Sequence, residues 1–306
     1  MSPLSDRAPC SDKVLFIFYD FETTQDTKRD DNSFEHVLNL VCVQQLCEDD
    51  LDMDVDCRRC GERKHSFWTD LVGDLISYTF KSRPWANRIV AIVHNAKAFE
   101  LLFVLNRLVR MKSLFKLLIM KEQKIVCLQV ENVTWLDSLN YLAMPLRKLP
   151  EALGFTARKS LYPHLSITTA NMNYVSPAPD GSYYGIDYTH EFERKKFLSW
   201  YEAVVKTEEF DNRQVLESCC QADVMELREA CRTFRKHFLQ IYIYIYNVEV
   251  FLESKTIASA SNRVFQKKFL QPDKIGLIPV GGYTDNRKQN KKTIAWLLLE
   301  EKKKAR

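Results

Sequence analysis

Two carboxylates stand two residues apart at the end of an apolar run. Asp20 and Glu22 follow residues 14–19 (VLFIFY), whose β-branched and aromatic side chains predict a buried strand. Side chains alternate along a strand, so both carboxylates project from one face at its carboxyl end. Adjacent carboxylates repel each other unless a cation lies between them, and oxygen ligands suit Mg²⁺ or Mn²⁺. The pair indicates a divalent-metal site, although two unrelated surface acids at a strand end would give the same pattern.

Two further acidic residues stand at positions that predict helices. Glu100 stands in the first turn of residues 98–110, which have one broad apolar helical face. Taken alone it is typical of a first-turn acid that the helix dipole stabilises, and Asn95 before it is typical of a turn or cap. Asp223 lies inside a predicted long helix, where an isolated aspartate is usually exposed. None of these residues indicates a function by itself.

A third group of residues suits a soft metal. Cys47, Cys57, Cys60 and His65 offer three thiolates and one imidazole, which is a closed tetrahedral set for structural zinc. Residues 47–56 contain six acidic residues and no basic one, so this loop has little apolar material to fold around and a metal would order it. Cys42 is the alternative fourth ligand. A set of free cysteines in an exposed loop remains the alternative interpretation.

Alternating apolar runs predict the elements that hold these residues. The expected strands cover residues 14–19, 37–46, 88–93, 117–120, 124–130 and 132–136. The expected helices cover residues 67–81, 98–110, 145–153, 191–206 and 212–238, with Gly154 closing the third. Because strands alternate with helices, the fold class is α/β.

The composition is that of an ordinary globular protein, with 46% hydrophobic and 27% charged residues, which excludes a collagen-like or largely disordered chain. Forty-four basic and forty acidic residues give a net charge of +4, too mild to indicate a nucleic-acid partner by itself. The nine cysteines are scattered and odd in number, so we expect an intracellular, reducing compartment. Neither a signal peptide nor a membrane-spanning stretch is evident, so we expect a soluble protein with no membrane partner.

A series of short motifs follows along the chain. They are DFETT at 20–24, HN-x3-FE at 94–100, DSL at 137–139, RKLP at 147–150, Lys159 with Pro163-His164, Cys220-x2-Asp223, TIASA at 256–260, IGLIPVGGY at 275–283 and IAWL at 294–297. In order and spacing this series resembles the DEDD-type 3′–5′ exonuclease domain of family B DNA polymerases. More narrowly, it resembles the protein-primed branch, and within it the polymerases of Polinton/Maverick transposons and adintoviruses.

The resemblance implies an RNase H-like fold, a mixed sheet flanked by helices. It implies a two-metal site for Mg²⁺ or Mn²⁺, whose catalytic residues are Asp20, Glu22, Glu100 and Asp223, with Lys159 near the scissile phosphate. The implied substrate is the 3′ end of a single-stranded DNA primer, and the matching contact residues are Thr23, Asn95, Phe99, Ser138 and Leu139. Gly281, Gly282 and Tyr283 match a connector segment that contacts the template strand. A terminal protein is the implied partner of the full-length enzyme.

Two residues depart from the family pattern. The family has aspartate where Glu100 stands, and the extra methylene displaces the carboxylate from a position where Mg²⁺ tolerates little deviation. The family also has a tyrosine that orients the attacking water, and the matching residue here is Cys219, whose thiol is a weak hydrogen-bond partner. We therefore expect exonuclease activity to be weak or absent.

The resemblance also divides the chain. It implies a loose tail at residues 1–12, the exonuclease domain at 13–238 with a cysteine-rich insert at 47–65, and a truncated connector at 239–306. We expect no palm domain, and hence no nucleotide addition, although the family is that of DNA-directed DNA polymerases, which are nucleotidyltransferases. Two alternatives remain: a free-standing exonuclease acting on RNA or DNA, against which the connector argues, and a non-catalytic single-strand-binding remnant of a mobile element.

Overall fold

The computed structural model describes residues 13–30, 33–47, 57, 59–95, 100–122, 124–156, 161–186, 191–202, 209–241 and 248–271. Asp6–Lys268 form one compact unit, and Met1–Ser5 with Phe269–Arg306 form another. Of the second unit only residues 269–271 are described, so the account below concerns the first. The predicted domain limits at residues 12 and 238 stay predictions, and most of the predicted connector lies outside the described residues.

Seven strands form one mixed sheet in the order β3-β2-β1-β4-β7-β6-β5. The strands are β1 (Val14–Lys28), β2 (Phe34–Cys47), β3 (Lys64–Phe67), β4 (Arg88–Val93), β5 (Phe115–Lys121), β6 (Lys124–Val130) and β7 (Val133–Asp137). The pairs β1–β4 and β4–β7 are parallel, and the remaining pairs are antiparallel. An antiparallel β1–β2–β3 meander followed by parallel strands is the RNase H-like arrangement, so the predicted fold class is confirmed.

Helices cover both faces of this sheet. They are α1 (Leu71–Phe80), α2 (Glu100–Arg110), α3 (Leu149–Leu153), α4 (Glu191–Trp200), α5 (Asn212–Ile241), α6 (Val250–Glu253) and α7 (Ile257–Lys268). The helices α1 and α2 pack on one face, and α5 packs on the other. None of the described helices is long and apolar enough to cross a membrane.

The central strand β1 is buried on both faces because each face meets helices. Phe16 and Phe18 belong to the core under α5, whereas Leu15 and Ile17 belong to the core under α1 and α2. A strand buried on both sides needs a continuous apolar run rather than an alternating one, which is why residues 14–19 are all apolar. The carboxylates begin where this run ends.

The predicted elements agree with the structure in position more than in length. The strand predicted at residues 88–93 coincides with β4, and Gly154 ends α3 in the left-handed conformation at φ +74°. The helix predicted from residue 67 was wrong at its start, because Phe67 pairs with β2 as the end of β3 and α1 begins at Leu71. The strand predicted at 14–19 continues to Lys28, because backbone pairing with β2 carries it through polar sequence.

Candidate active site

Asp20 and Glu22 lie just past the point where the pairing of β1 with β4 ends. A carboxylate oxygen of each and the Sγ atom of Cys220 on α5 all lie within 4.8 Å of one another. The Cys220 thiol also donates to the backbone oxygen of Asp20 at 3.7 Å. Strand alternation predicts that both acids lie on one face of the sheet. This is the face that α5 covers.

Glu100 approaches the same place from the other side, as the first residue of α2. Its side chain is only 7% exposed, and among the described residues its Oε2 atom has no hydrogen-bond partner. Burial, and then the charge of Asp20 and a hydrogen bond with it, hold the pKa of Glu100 well above its usual range. Buried carboxylates that share a proton in this way are a place where a divalent cation would be stabilised.

Tyr19 is a buried neighbour of these acids that the sequence did not indicate. Its side chain is inaccessible to solvent, and its hydroxyl has no hydrogen-bond partner among the described residues. Burial raises the pKa of Tyr19, and the charges of Glu100, Asp137 and Asp20 raise it further. The phenol therefore stays protonated near these carboxylates.

The helix α5 places Asp223 less than one turn beyond Cys220. Asp223 is 9% exposed, so it is not the exposed helical aspartate that its isolated position suggested. It lies outside the set of ligand atoms within 4.8 Å of one another, which contains Asp20 and Glu22. The structure thus brings Asp20 and Glu22 together and places Asp223 within one helical turn of Cys220 on α5.

The two cysteines that precede Asp223 on α5, Cys219 and Cys220, have different surroundings. Cys219, at the position of the family tyrosine, is fully buried in the apolar core under α5. Burial, then Cys42, then the charges of Asp20 and Glu22 raise the pKa of the Cys220 thiol. A protonated thiol is a poor ligand for Mg²⁺, so oxygen atoms remain the donors that suit this site.

Asp137, the last residue of β7, joins two segments that the sequence predicted to contact DNA. Its Oδ1 atom accepts hydrogen bonds from the backbone N–H of Asn95 at 3.0 Å and of Leu139 at 2.9 Å. Asn95 adopts a left-handed backbone conformation at φ 64°, which asparagine tolerates better than most residues. Asp137 follows an apolar run as Asp20 does, and that pattern could have indicated it.

His94 contacts Ser138, another residue that the sequence predicts to contact DNA. The His94 Nδ1 atom lies 2.9 Å from Ser138 Oγ, and its Nε2 atom lies 3.1 Å from the backbone oxygen of Met144. Burial lowers the pKa of His94, so the ring is neutral. The Ser138 hydroxyl donates its proton to the backbone oxygen of Val93 at 3.0 Å, and a proton on His94 Nε2 would donate to the Met144 carbonyl.

The remaining predicted site residues are only partly described. Thr23 follows a register shift in the β1–β2 pairing, and its hydroxyl lies 3.3 Å from His36 Nδ1. Such a bulge turns the next side chains in a new direction. The other predicted residues lie outside the described residues: Phe99, Lys159, Gly281, Gly282 and Tyr283.

The cysteine-rich insert forms a second cluster. The Sγ atoms of Cys47, Cys57 and Cys60 lie within 4.8 Å of one another. His65 is not part of this set: its ring centroid lies 4.7 Å from that of Tyr78, and its Nε2 atom lies 3.2 Å from the backbone oxygen of Glu62. Cys42 belongs to the core under α5, beside Ser66 and away from the cluster. The structure therefore brings together three of the four residues predicted as zinc ligands.

Comparison with known proteins identifies one family. The family described as DNA polymerase type B, organellar and viral, matches residues 86–298, which is more than half of the chain. The matched segment includes Glu100, Asp137 and Asp223. Asp20 and Glu22 precede it.

Individual relatives cover less of the chain. A probable DNA polymerase of Podospora anserina is 29% identical over 150 residues, covering 49% of this chain and 11% of the relative. One of Ascobolus immersus is 26% identical over 230 residues, covering 66% of this chain and 18% of the relative. The orthorhombic crystal form of Phi29 DNA polymerase is similar over 82% of this chain and 34% of that chain, with 14% identity and a TM-score of 0.41. The chain thus spans less than a fifth of the fungal relatives.

Proposed function

Because the chain belongs to the organellar and viral type B DNA polymerases, we propose that its carboxylate site is the 3′–5′ exonuclease site of such a polymerase. The observation that carries the proposal is the convergence of Asp20, Glu22 and buried Glu100 at one place beside α5. Clustered carboxylate oxygens are the donors that suit a divalent cation, whose charge would relieve their mutual repulsion. The finer assignment to the protein-primed, transposon-like branch is part of the same proposal.

The residues have separate roles in this proposal. Asp20, Glu22 and Asp223 would hold the cations, with Glu100 completing the carboxylate set. Two Mg²⁺ or Mn²⁺ ions would supply an activated water and neutralise charge on the scissile phosphate. Asp137 and His94 hold the backbone of Asn95 and Leu139 and the hydroxyl of Ser138 in place. These groups suit a single strand that is bound through phosphate and sugar rather than through base edges.

We propose that nucleotide addition, the primer-template substrate and a terminal-protein partner belong to the longer polymerases of this family. The relatives named probable DNA polymerase are more than five times as long as the segments they share with this chain. The 3′ end of single-stranded DNA is the substrate proposed for the described site. Slow trimming is expected, because Glu100 carries an extra methylene and Cys219 is packed in the core.

Trimming of single-stranded DNA tests this function. The purified chain with Mn²⁺ or Mg²⁺ should shorten a 5′-labelled oligonucleotide slowly from its 3′ end. Glu100→Asp should raise the rate by roughly 10- to 100-fold, because a displacement of about 1 Å costs catalysis that much. Asp20→Asn should lower the rate of the Glu100→Asp chain by at least about 100-fold, since even outer-shell changes at metal sites cost about 10- to 100-fold.

Asp30→Asn is the matched control, because Asp30 is an exposed aspartate that follows the same strand. It should leave trimming unchanged in the Glu100→Asp chain. If neither the wild-type nor the Glu100→Asp chain trims DNA and both bind it in a salt-dependent way, the exonuclease proposal fails and the non-catalytic binding alternative is favoured.

A further inference from the structure

Three cysteines meet where β2 ends. Cys47 Sγ and Cys57 Sγ are 3.4 Å apart, and Cys60 Sγ lies within 4.8 Å of both. None of the three forms a disulfide with another described cysteine. Two thiolates on one tetrahedral zinc ion lie about 3.8 Å apart, given Zn–S bonds of about 2.3 Å. The Cys47–Cys57 separation is close to that value, and the limit of 4.8 Å on the separations from Cys60 includes it.

The backbone around Cys57 and Cys60 forms a tight turn. Gly61 N–H donates to Cys57 O at 2.8 Å, and Cys57 N–H donates to Gly61 O at 3.3 Å. Gly61 has φ +78°, a conformation that favours glycine. The Arg59 N–H donates to Cys57 Sγ at 3.4 Å. A backbone N–H directed at sulfur stabilises the thiolate form, which is the form that binds a metal.

Gln45 fastens this turn to β2. Its Nε2 atom donates to the backbone oxygens of Cys60 at 2.6 Å and Glu62 at 2.7 Å, and its backbone N–H donates to Arg63 O at 3.0 Å. Gln45 stands two residues before Cys47, so both side chains leave the same face of the strand. The turn is thereby held with its two thiols beside the third.

We propose that Cys47, Cys57 and Cys60 bind one structural zinc ion. Thiolates select zinc over Mg²⁺ or Mn²⁺, so this site would not compete for the cations of the carboxylate site. His65 is directed to Glu62 and Tyr78, and Cys42 lies on the opposite face of β2, so neither belongs to the ligand set. The described residues supply three of the four tetrahedral positions.

The zinc ion would stabilise the edge of the sheet that supports α5. The turn leads directly into β3, and Gln221 on α5 donates to the His65 backbone oxygen at 2.9 Å and to Ser66 Oγ at 3.0 Å. Gln44 on β2 in turn donates to the backbone oxygen of Gln221 at 2.8 Å. Gln221 precedes Asp223 by two residues, so the zinc-bound edge holds the part of α5 that carries the predicted metal ligand.

Metal analysis of the full chain tests the proposal. Protein expressed with added zinc and purified under reducing conditions without chelator should contain about one zinc per chain. Cys57→Ser and Cys60→Ser should each lower the zinc content at least tenfold, and Cys57→Ser should lower the melting temperature by roughly 5–10 °C. Cobalt substituted into the wild-type chain should show thiolate-to-metal charge-transfer absorption, a readout that needs no variant to fold.

Two controls define the ligand set. Cys42→Ser, on the same strand but the opposite face, and His65→Ala should both retain zinc. Loss of zinc from either variant would overturn the three-thiolate assignment. A wild-type chain that takes up neither zinc nor cobalt, or that contains a Cys47–Cys57 disulfide in reducing buffer, would overturn the zinc site itself.

Discussion

Glu100 is a residue whose negative charge the carboxylate site tolerates poorly. Its carboxyl is buried beside Asp20, and both effects raise its pKa. Without a cation, ionising Glu100 would place a further negative charge among acids that already repel one another. The residue is therefore expected to oppose folding in the metal-free chain and to contribute to metal binding when cations are present.

Glu100→Gln should stabilise the metal-free chain. The folded-state pKa of Glu100 is raised above the unfolded value of about 4.3, so wild-type stability falls as the pH rises above that value, and the variant lacks this component. We expect the variant to gain about 1–3 kcal/mol at neutral pH in chelator, the range for relieving an unsatisfied buried polar group.

Urea unfolding of both chains from pH 4 to pH 8 measures this difference. Glu151→Gln is the control, since Glu151 is an exposed glutamate and should give no pH-dependent gain. A Glu100→Gln chain that is less stable than wild type at neutral pH in chelator would contradict the buried, proton-sharing carboxyl.

At the scale of single residues, the sequence predicts the position of a side chain where the two-residue period of a strand fixes the sheet face on which it lies. Strand alternation placed Asp20 and Glu22 on one face. It could not indicate Cys220, which reaches the same place from a helix 200 residues away, nor that Tyr19 lies close to the carboxylates. Tyr19 belongs to an apolar run and was expected to be an ordinary core residue, because nothing in the local sequence tells how its hydroxyl is directed.

The elements β4 and β7 position the predicted DNA contacts by ending side by side. Val93 pairs with Asp137 in parallel register, so the segments after the two strands leave the sheet at the same edge. His94 and Ser138 then join across this edge, and the Ser138 hydroxyl also lies 3.0 Å from the Val93 oxygen. The junction contains a buried imidazole, and burial favours its neutral form.

The junction should weaken in acid. Burial lowers the pKa of His94, while the charge of Asp137 opposes the change. A histidine with a lowered folded-state pKa stabilises the fold above the unfolded pKa of about 6.5 and loses that contribution as the pH falls below it. The His94→Gln chain should therefore lose less stability than wild type between pH 7 and pH 5.

Thermal unfolding across that range measures the difference. His237→Gln is the matched control, because His237 is exposed on α5 and should follow wild type. Identical pH profiles for wild type and His94→Gln would show that the buried imidazole is not linked to stability.

At the scale of elements, the periodicity of apolar residues predicts that a helix or strand exists, and which of the two it is, more reliably than it predicts the residues at which the element begins and ends. The apolar run at residues 88–93 forms β4, which lies between β1 and β7 in the sheet and pairs with both. The extension of β1 to Lys28 depends on pairing with β2, which polar sequence does not reveal. For the same reason His65 was predicted as a zinc ligand: its spacing after Cys60 fits, but pairing of β3 with β2 directs the ring to Tyr78.

In the molecule as a whole, the β1–β2 hairpin carries two clusters that prefer different metals. Asp20 pairs with Cys42, and Cys47 pairs with Leu15. The thiols therefore lie five residues along the hairpin from the carboxylates, a distance of about 17 Å. The carboxylates face α5, whereas Cys60 packs against the core of the opposite face. The two metals should therefore bind independently.

Crossed substitutions should separate the two sites. Mn²⁺ at about 100 times its dissociation constant stabilises a folded protein by about 2.7 kcal/mol, so it should raise the melting temperature of the wild-type chain. Glu22→Gln should abolish that rise and retain zinc, because it removes an oxygen ligand and leaves the thiols untouched. Cys57→Ser should lose zinc and melt at a lower temperature, yet it should still respond to Mn²⁺. If Cys57→Ser also loses the Mn²⁺ response at a temperature where it is folded, the two clusters are coupled through β3 and Gln221 rather than independent.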